Sequence, residues 1–274
     1  MSDLPPVSAY IRTQNEARRI GDVVRAAKKA ARQVVVVDSG SDDGTQEIAR
    51  AAGAEVHHVD WRGNGGQKRA GENLCTYDWL LDLDADEVID DAMARSIRDL
   101  FKDGQEPRHP VYGLRQVHAV PFGDPWWGTD IIIKNKFYDR RRIRMPDHPA
   151  WDQLDHSKTT SPRLGGFMLH YMFSDIGDLT RKQERTMTRR AAGVKQKAKT
   201  ILALRIVFAF PIYFLKRYIG KALFTRGIYG FAFSMTIAYG RWLKDVKLYE
   251  RHLKSEQDAK TNAADQPEPH HAEF

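Results

Sequence analysis

Four consecutive valines, Val34 to Val37, run straight into Asp38-Ser39-Gly40-Ser41, and this junction constrains the fold more than any other part of the chain. A β-branched run without polar alternation marks a strand buried on both faces, as in parallel sheets covered by helices on each side. The loop that follows such a strand opens at the carboxyl edge, where open α/β sheets bind ligands. The flanking sequence repeats the alternation. Val7 to Ile11 reads as a first strand, and Glu16 to Arg32 has helical spacing, with Ile20, Val23, Val24 and Ala27 on one face and Asn15 as N-cap. Thr45 to Ala52 reads as a helix ending at Gly53, Glu55 to Val59 as a strand, Lys68 to Thr76 as a helix and Tyr77 to Leu83 as a fourth strand. This β-α-β-α-β-α-β order predicts an α/β fold with a mostly parallel central sheet and flanking helices.

The fourth strand runs into Asp84-Ala85-Asp86-Glu87. Carboxylates two residues apart at the end of a strand are expected to point to one face. Such an anionic clamp, Asp84 with Asp86, suits Mg2+ or Mn2+, with substrate phosphate oxygens completing the octahedron. Two acid-bearing loops at one sheet edge point to a nucleoside diphosphate. Asp38 is the candidate acceptor for a base or ribose hydrogen bond, and Ser39 is a small hydroxyl that leaves room beside it; taken alone, Asp38 to Gly44 also reads as an ordinary turn. Between the two loops, the glycines of Trp61 to Arg69 enter a helix carrying Gln67, Lys68 and Arg69. Backbone N–H groups and cations there suit phosphate oxygens, the alternative being a mobile connector. No Gly-x-Gly-x-x-Gly follows the first strand and no Gly-x-x-x-x-Gly-Lys-Ser/Thr occurs, which argues against a dinucleotide oxidoreductase and a P-loop phosphotransferase.

Downstream, Asp90 to Phe101 reads as a covering helix, Val111 to Val120 and Ile131 to Arg142 as strands, and Met145 to Gly166 as a long irregular stretch that places the acceptor side. Trp126 and Trp127, next to Gly128, have flat faces that match a sugar ring, burial in the core being the other reading. Arg140, with Arg141, Arg142 and Arg144, is a candidate for a phosphate on acceptor or donor, or else a solvated strand edge.

The last third has a different character. Of a formal charge of +7, Arg181 to Lys199 alone holds eight bases against Glu184. Ile206 to Leu215 and Gly227 to Gly240 are uncharged but too short to span a bilayer, which takes roughly 20 apolar residues. Aromatics beside cations suit helices lying at a membrane surface; packing against one another or a second subunit is the alternative. The basic run adjoins apolar helices rather than interleaved stacking residues, which argues against nucleic acid. The expected domains are 1–170 catalytic, 171–253 helical and 254–274 a disordered tail. Cys75 is the single cysteine, which excludes a disulfide framework, and the first residues lack a secretory pattern, so the expected location is cytoplasmic.

Val34 to Thr45, Trp61 to Ala70 and Asp78 to Glu87 resemble the signatures of glycosyltransferase family 2 with the GT-A fold. The Trp-x-Gly-x-Gly-x-Gln-Lys spacing, Phe137-Tyr138-Asp139-Arg140 and His170-Tyr171 resemble the bacterial lipopolysaccharide-core branch of that family. The resemblance implies an inverting, metal-dependent transfer from a nucleoside-diphosphate sugar, most often UDP-linked, onto a lipid-linked glycan. It implies Asp38 as the base-recognising aspartate, Thr13 and Glu16 near the nucleoside, and Asp84 and Asp86 at metal and diphosphate. Where relatives carry a His-Glu pair, this chain has Trp151-Asp152, so Asp152 is the first candidate for the base, with Asp147 and Asp155 behind it. The alternatives are transfer onto a polyprenyl phosphate and a non-catalytic nucleotide-binding membrane scaffold.

Overall fold

The computed structural model describes residues 4–154 and 161–264 and divides into two compact units, Met1–Met172 and Phe173–Phe274. In the first, β1 (Val7–Thr13), β2 (Gln33–Asp38), β3 (Glu55–His58) and β4 (Trp79–Asp84) pair in parallel, with β1 between β2 and β4. The chain therefore builds outward from β1 to β3 and then returns to β1's other side, so the loops after β1 and β4 diverge. That is the switch point at which open sheets leave a ligand crevice. Beyond β4 the sheet continues through β7 (Ile132–Asp139), β6 (Val111–His118), β8 (Met168–His170) and β5 (Glu87–Ile89), for an order of β3-β2-β1-β4-β7-β6-β8-β5. This is the α/β, mostly parallel GT-A-type sheet expected from the sequence, extended by antiparallel strands.

The valine run explains the layers. Side chains alternate across the sheet, so Val34 and Val36 join Ile11, Leu81 and Leu83 on one face, while Val35 and Val37 join Tyr10, Leu80 and Tyr138 on the other. Helices α1 (Ile20–Ala27) and α4 (Asp91–Asp99) cover the first face through Ile20, Val23, Val24, Met93 and Ile97. Helix α3 (Asn64–Leu74) packs on β1 and β2, and α2 (Thr45–Ala51) lies between β2 and β3 in the chain.

Two boundaries differ from the sequence expectation for local reasons. Asn15 is not an N-cap: it adopts φ 55°, its N–H donates to the Ser41 hydroxyl, and its amide oxygen accepts from Asp42 N–H, so α1 begins only at Ile20. Helix α3 starts four residues before Lys68, because its glycines let the segment around residues 146–151 approach the backbone. A Cβ at Gly65 would collide with the carbonyl oxygens of Trp151 and Pro146.

The second unit consists of α5 (Ile176–Gly193), α6 (Lys199–Tyr218) and α7 (Gly227–Ala264). Among the described residues, no helix is long and apolar enough to cross a membrane. The tail expected to be disordered from Lys254 is helical through Ala264, continuing α7 in residues of good helix propensity, with Glu256 paired to Lys199; residues 265–274 lie outside the described residues. Inside the unit, the Arg205 guanidinium reaches the fully buried Asp245 at 2.9 Å, and Trp242 Nε1 donates to the Ile206 carbonyl at 3.0 Å.

Candidate functional site

The parallel register sets Thr13 beside Asp38 and Arg12 beside Asp84, which gathers the ends of β1, β2 and β4 at one edge. Because β7 runs antiparallel to β4, with Leu81 opposite Phe137, the preceding Lys136 arrives next to the acids near β4's end. A cleft of about 380 Å³ opens here, lined by Lys68, Asp82, Asp84, Lys136, Asp152 and His170 among others.

Its walls are charged and paired. Lys68 Nζ lies 2.8 Å from Asp82 and 3.6 Å from Asp84; Lys136 Nζ bonds Glu87 and lies 3.2 Å from Asp84. Arg12 is a bridge, with Nε 2.7 Å from Asp84 and Nη2 3.0 Å from Asp152. Burial would lift the Asp84 carboxyl, yet Lys136, Lys68 and Arg12 hold it well below the usual carboxylate range. Glu87 moves the opposite way: burial raises it, and the charge of Asp84 adds to burial against the pull of Lys136. Lys136 stays well above its ordinary value despite burial, because Asp82, Asp84 and Glu87 surround it. Asp82 Oδ1 is buried without a hydrogen-bond partner, as are the hydroxyls of Thr13 and Ser39 at the ends of β1 and β2. Orphaned polar atoms grouped at a sheet edge are what a polar ligand satisfies.

Asp84 and Asp86 do not sit on one strand. Strand β4 stops at Asp84, and Ala85-Asp86 forms the tight turn into β5, so strand alternation does not govern Asp86. Its carboxylate faces His170, whose Nε2 is 3.4 Å from Asp86 Oδ2; β8 delivers this histidine by pairing His170 with Glu87. Burial alone would lower the His170 pKa, but Asp86, Glu87 and Asp84 raise it. Gln116 Nε2 meets His170 Nδ1 at 2.8 Å and fixes the ring. Two donors on neighbouring vertices of an Mg2+ octahedron, with bonds of about 2.1 Å, stand roughly 3 Å apart, so Asp86 and His170 suit a shared ion. Among the described residues, no group of three or more His, Cys, Asp or Glu forms a metal cage. An ion here would draw its remaining ligands from substrate and water.

The other expected site residues divide. Asp152 is at the cleft, held by Arg12. Asp38 is buried and already serves its own loop: Oδ1 accepts from Gly40 N–H, Ser41 N–H and Gln46 Nε2, and Oδ2 from the Ser41 hydroxyl. Glu16 is in the loop after β1, its N–H bonded to the Thr45 hydroxyl. Gln67 is fully buried, with Nε2 donating to the Val59 carbonyl and Oε1 accepting from Arg62 N–H. The N–H groups of Asn64, Gly65 and Gly66 are not open to phosphate, because the carbonyls of Pro149 and His148 occupy them. Asp147 is exposed beside Gly66, and Asp155 lies outside the described residues.

Arg140 is a correction. Strand β7 ends beside the start of β4, with Asp139 opposite Trp79, so Arg140 sits at the edge remote from Asp84. There its guanidinium caps the end of α3, donating to the carbonyls of Glu72, Cys75 and Thr76 and pairing with Asp78. Arg141 pairs with Asp139 and Glu106, and Arg144 with Glu72. The two tryptophans also part: Trp126 is buried, whereas Trp127 is 43% exposed, edge-on to Phe167 at 5.3 Å. Their loop connects the end of β6 to the start of β7 and is braced by the buried His118–Asp130 pair at 3.0 Å. Arg12, Lys136, Gln116 and His170 were not among the sequence candidates. Arg12 had a readable signal, since it comes one residue before the end of β1 and is in register with Asp84 at the end of β4.

A cleft of paired charges and orphaned hydroxyls at the switch point is the ligand site of an α/β enzyme. The chain belongs to glycosyl transferase family 2, whose sequence profile matches residues 8–161. It is 27% identical to the lipopolysaccharide core biosynthesis glycosyltransferase LpsC of Rhizobium meliloti over 90% of this chain and 93% of that one. An uncharacterized glycosyltransferase of Rickettsia felis is 29% identical over 91% of each chain. Glucosyl-3-phosphoglycerate synthase from Mycobacterium tuberculosis, solved with Mn2+, UDP-glucose and phosphoglyceric acid, aligns over 41% of this chain and 43% of that one at 20% identity, with a TM-score of 0.34.

Proposed function

We propose that the protein is an inverting, metal-dependent glycosyltransferase that moves a sugar from a nucleoside-diphosphate donor, UDP-linked, onto a lipid-linked glycan such as a lipopolysaccharide core. The observation that carries this reading is the convergence of the Asp84–Asp86 turn, His170 and Asp152 on one cleft. Asp82, Asp84, Asp86, Glu87 and Asp152 outnumber Lys68, Lys136 and Arg12, so the site accommodates a divalent cation. Mg2+ or Mn2+ held by Asp86 and His170 would supply positive charge to the departing diphosphate.

The protein's own groups do the rest. Thr13 and Ser39 present hydroxyls to the nucleoside from the ends of β1 and β2, and the loop organised by Asp38 with Glu16 shapes that pocket. Lys68 and Lys136 hold the carboxylates that face the diphosphate and add cationic character to the wall. Asp152, kept in place by Arg12, accepts the proton from the acceptor hydroxyl as that oxygen attacks the anomeric carbon from the side opposite the leaving group, and the configuration inverts. Trp127 offers its exposed face to an acceptor sugar. The similarity to LpsC supports a lipid-linked core acceptor, and an acceptor confined to a leaflet favours a peripheral enzyme on the inner face of the cytoplasmic membrane.

The test is incubation with a panel of nucleotide sugars and Mn2+ or Mg2+, offering truncated lipopolysaccharide core or a polyprenyl phosphate as acceptor. The expected result is chelator-sensitive transfer onto the core from an α-linked donor, with a β-linked product. Transfer only onto the polyprenyl phosphate overturns the acceptor class. If no donor is consumed and none raises the melting temperature, the enzymatic reading falls.

A further inference from the structure

The outward side of α6 is apolar where a water-facing helix is polar. Ile201, Leu204, Phe208, Ile212 and Leu215 recur at intervals of three and four, which confines them to one stripe of the helix. Leu204, Phe208 and Ile212 are each 61–62% exposed, and Val207 and Pro211 flank them on the same open side. From Thr200 to Leu215 no exposed position of α6 carries a charge, and Ile219, Phe224 and Ile228 continue the apolar surface past the helix end. The polarity inside is reversed as well: Arg205 points to the buried Asp245, and the Trp242 indole bonds the Ile206 carbonyl. A helix that turns Arg205 inward and leaves Leu204, Phe208 and Ile212 open is matched to a neighbour less polar than water.

We propose that this face of α6 docks onto an anionic lipid bilayer, with the helix lying in the interfacial plane. Charge selects that occupant. The second unit has 19 Lys and Arg against 10 Asp and Glu, a net +9, while the first unit is net −2. Two copies meeting through α6 would bring two such basic units together, whereas anionic headgroups neutralise them. Lys216 and Lys221 stand at the end of the stripe, at the height where headgroup phosphates meet an interfacial helix. No helix among the described residues is long and apolar enough to cross a bilayer, and an interfacial helix does not need to be. The inference deepens the proposed function and rests on that reading for its purpose, since an acceptor anchored in a leaflet has to be met there; its geometry is independent.

The full chain is sedimented with vesicles containing phosphatidylglycerol and, separately, with phosphatidylcholine vesicles. Binding at least about tenfold stronger to the anionic vesicles is expected, and about tenfold weaker in Leu204→Glu/Phe208→Glu. A Leu204→Cys variant carrying a polarity-sensitive fluorophore reports insertion by a blue shift. The native thiol does not interfere, because Cys75 is buried and burial pushes its pKa up to about 12. Equal binding to both lipids, no shift at position 204, or a lipid-free dimer that Leu204→Glu/Phe208→Glu dissolves each overturns the proposal, the last in favour of a second copy. Vesicle binding without any sugar transfer sinks only the catalytic reading, and transfer without vesicle binding sinks only this one.

Discussion

The two units break the ordinary rule of apolar inside and charged outside in opposite directions. In the first unit, Asp82, Glu87, Lys68 and Lys136 are buried at the end of a sheet whose strands Val34 to Val37 and Leu80 to Leu81 are packed in apolar clusters. In the helical unit one stripe of apolar side chains on α6 is outside, while Asp245, paired with Arg205, is fully buried. Each departure costs free energy relative to the reverse arrangement, and in the readings proposed above each is offset by something that is not part of the chain. Buried, mutually paired charge at a switch point is matched to a charged small ligand, and an exposed apolar stripe beside cations is matched to a lipid phase. The same bookkeeping of polarity thus separates the proposed site of chemistry from the proposed site of attachment.

The strongest way to break that contrast is at Asp86. Asp86→Asn keeps the volume and removes the charge at the turn, and transfer should fall by about three orders of magnitude, roughly 4 kcal/mol of transition-state stabilisation. The melting temperature should stay within a few degrees, because Asp86 is partly exposed in a turn rather than locked among Lys68, Lys136 and Arg12. Steady-state kinetics with a manganese titration reads this. Activity that survives at parental level would show that the turn carries no catalytic ion.

Next in size is Lys136→Met. It leaves Asp82, Asp84 and Glu87 buried with one cation fewer, and removing one partner of a buried pair costs about 3–5 kcal/mol. In the helical unit Arg205→Met strands the fully buried Asp245, but Arg205 is itself about one-third exposed, so water can relieve part of the loss and a smaller drop is expected. Denaturant unfolding of both variants gives the comparison directly. Should Arg205→Met prove the more costly, charge would matter more to the helices than to the catalytic edge.

The catalytic sheet was legible because local patterns and tertiary packing agree there. Val34 to Val37 can only be a strand covered twice, and the order from Val7 to Leu83 follows from the alternation. The extension was harder: β5 and β8 are three residues each, too short to show a period, yet β8 is what brings His170 to Asp86. Antiparallel pairing also hid the place of Arg140, since a residue at the end of β7 lies at the start of β4 and caps α3. Gly63 to Gly66 resembled a phosphate cradle in sequence, but glycines admit a protein backbone as readily as a ligand, and here the Pro149 and His148 carbonyls fill the space. In the helical unit the aromatic and basic composition was plain, while only coordinates could tell which side of α6 faces outward.

The smallest effect is expected at Trp127, and it is read against Trp126 in the same loop, which is buried where Trp127 is 43% exposed. Trp126→Ala should cost about 3–5 kcal/mol of stability, the range for truncating a packed tryptophan. Trp127→Ala should cost less stability than Trp126→Ala, since the Trp127 ring is 43% exposed. In the proposed reading it removes a flat ring for an acceptor sugar, worth about 1 kcal/mol, so acceptor KM should rise roughly fivefold while donor KM stays fixed. Varying acceptor at saturating donor, and donor at saturating acceptor, separates the two constants. A change in donor KM instead would move Trp127 from the acceptor side to the nucleotide side of the cleft.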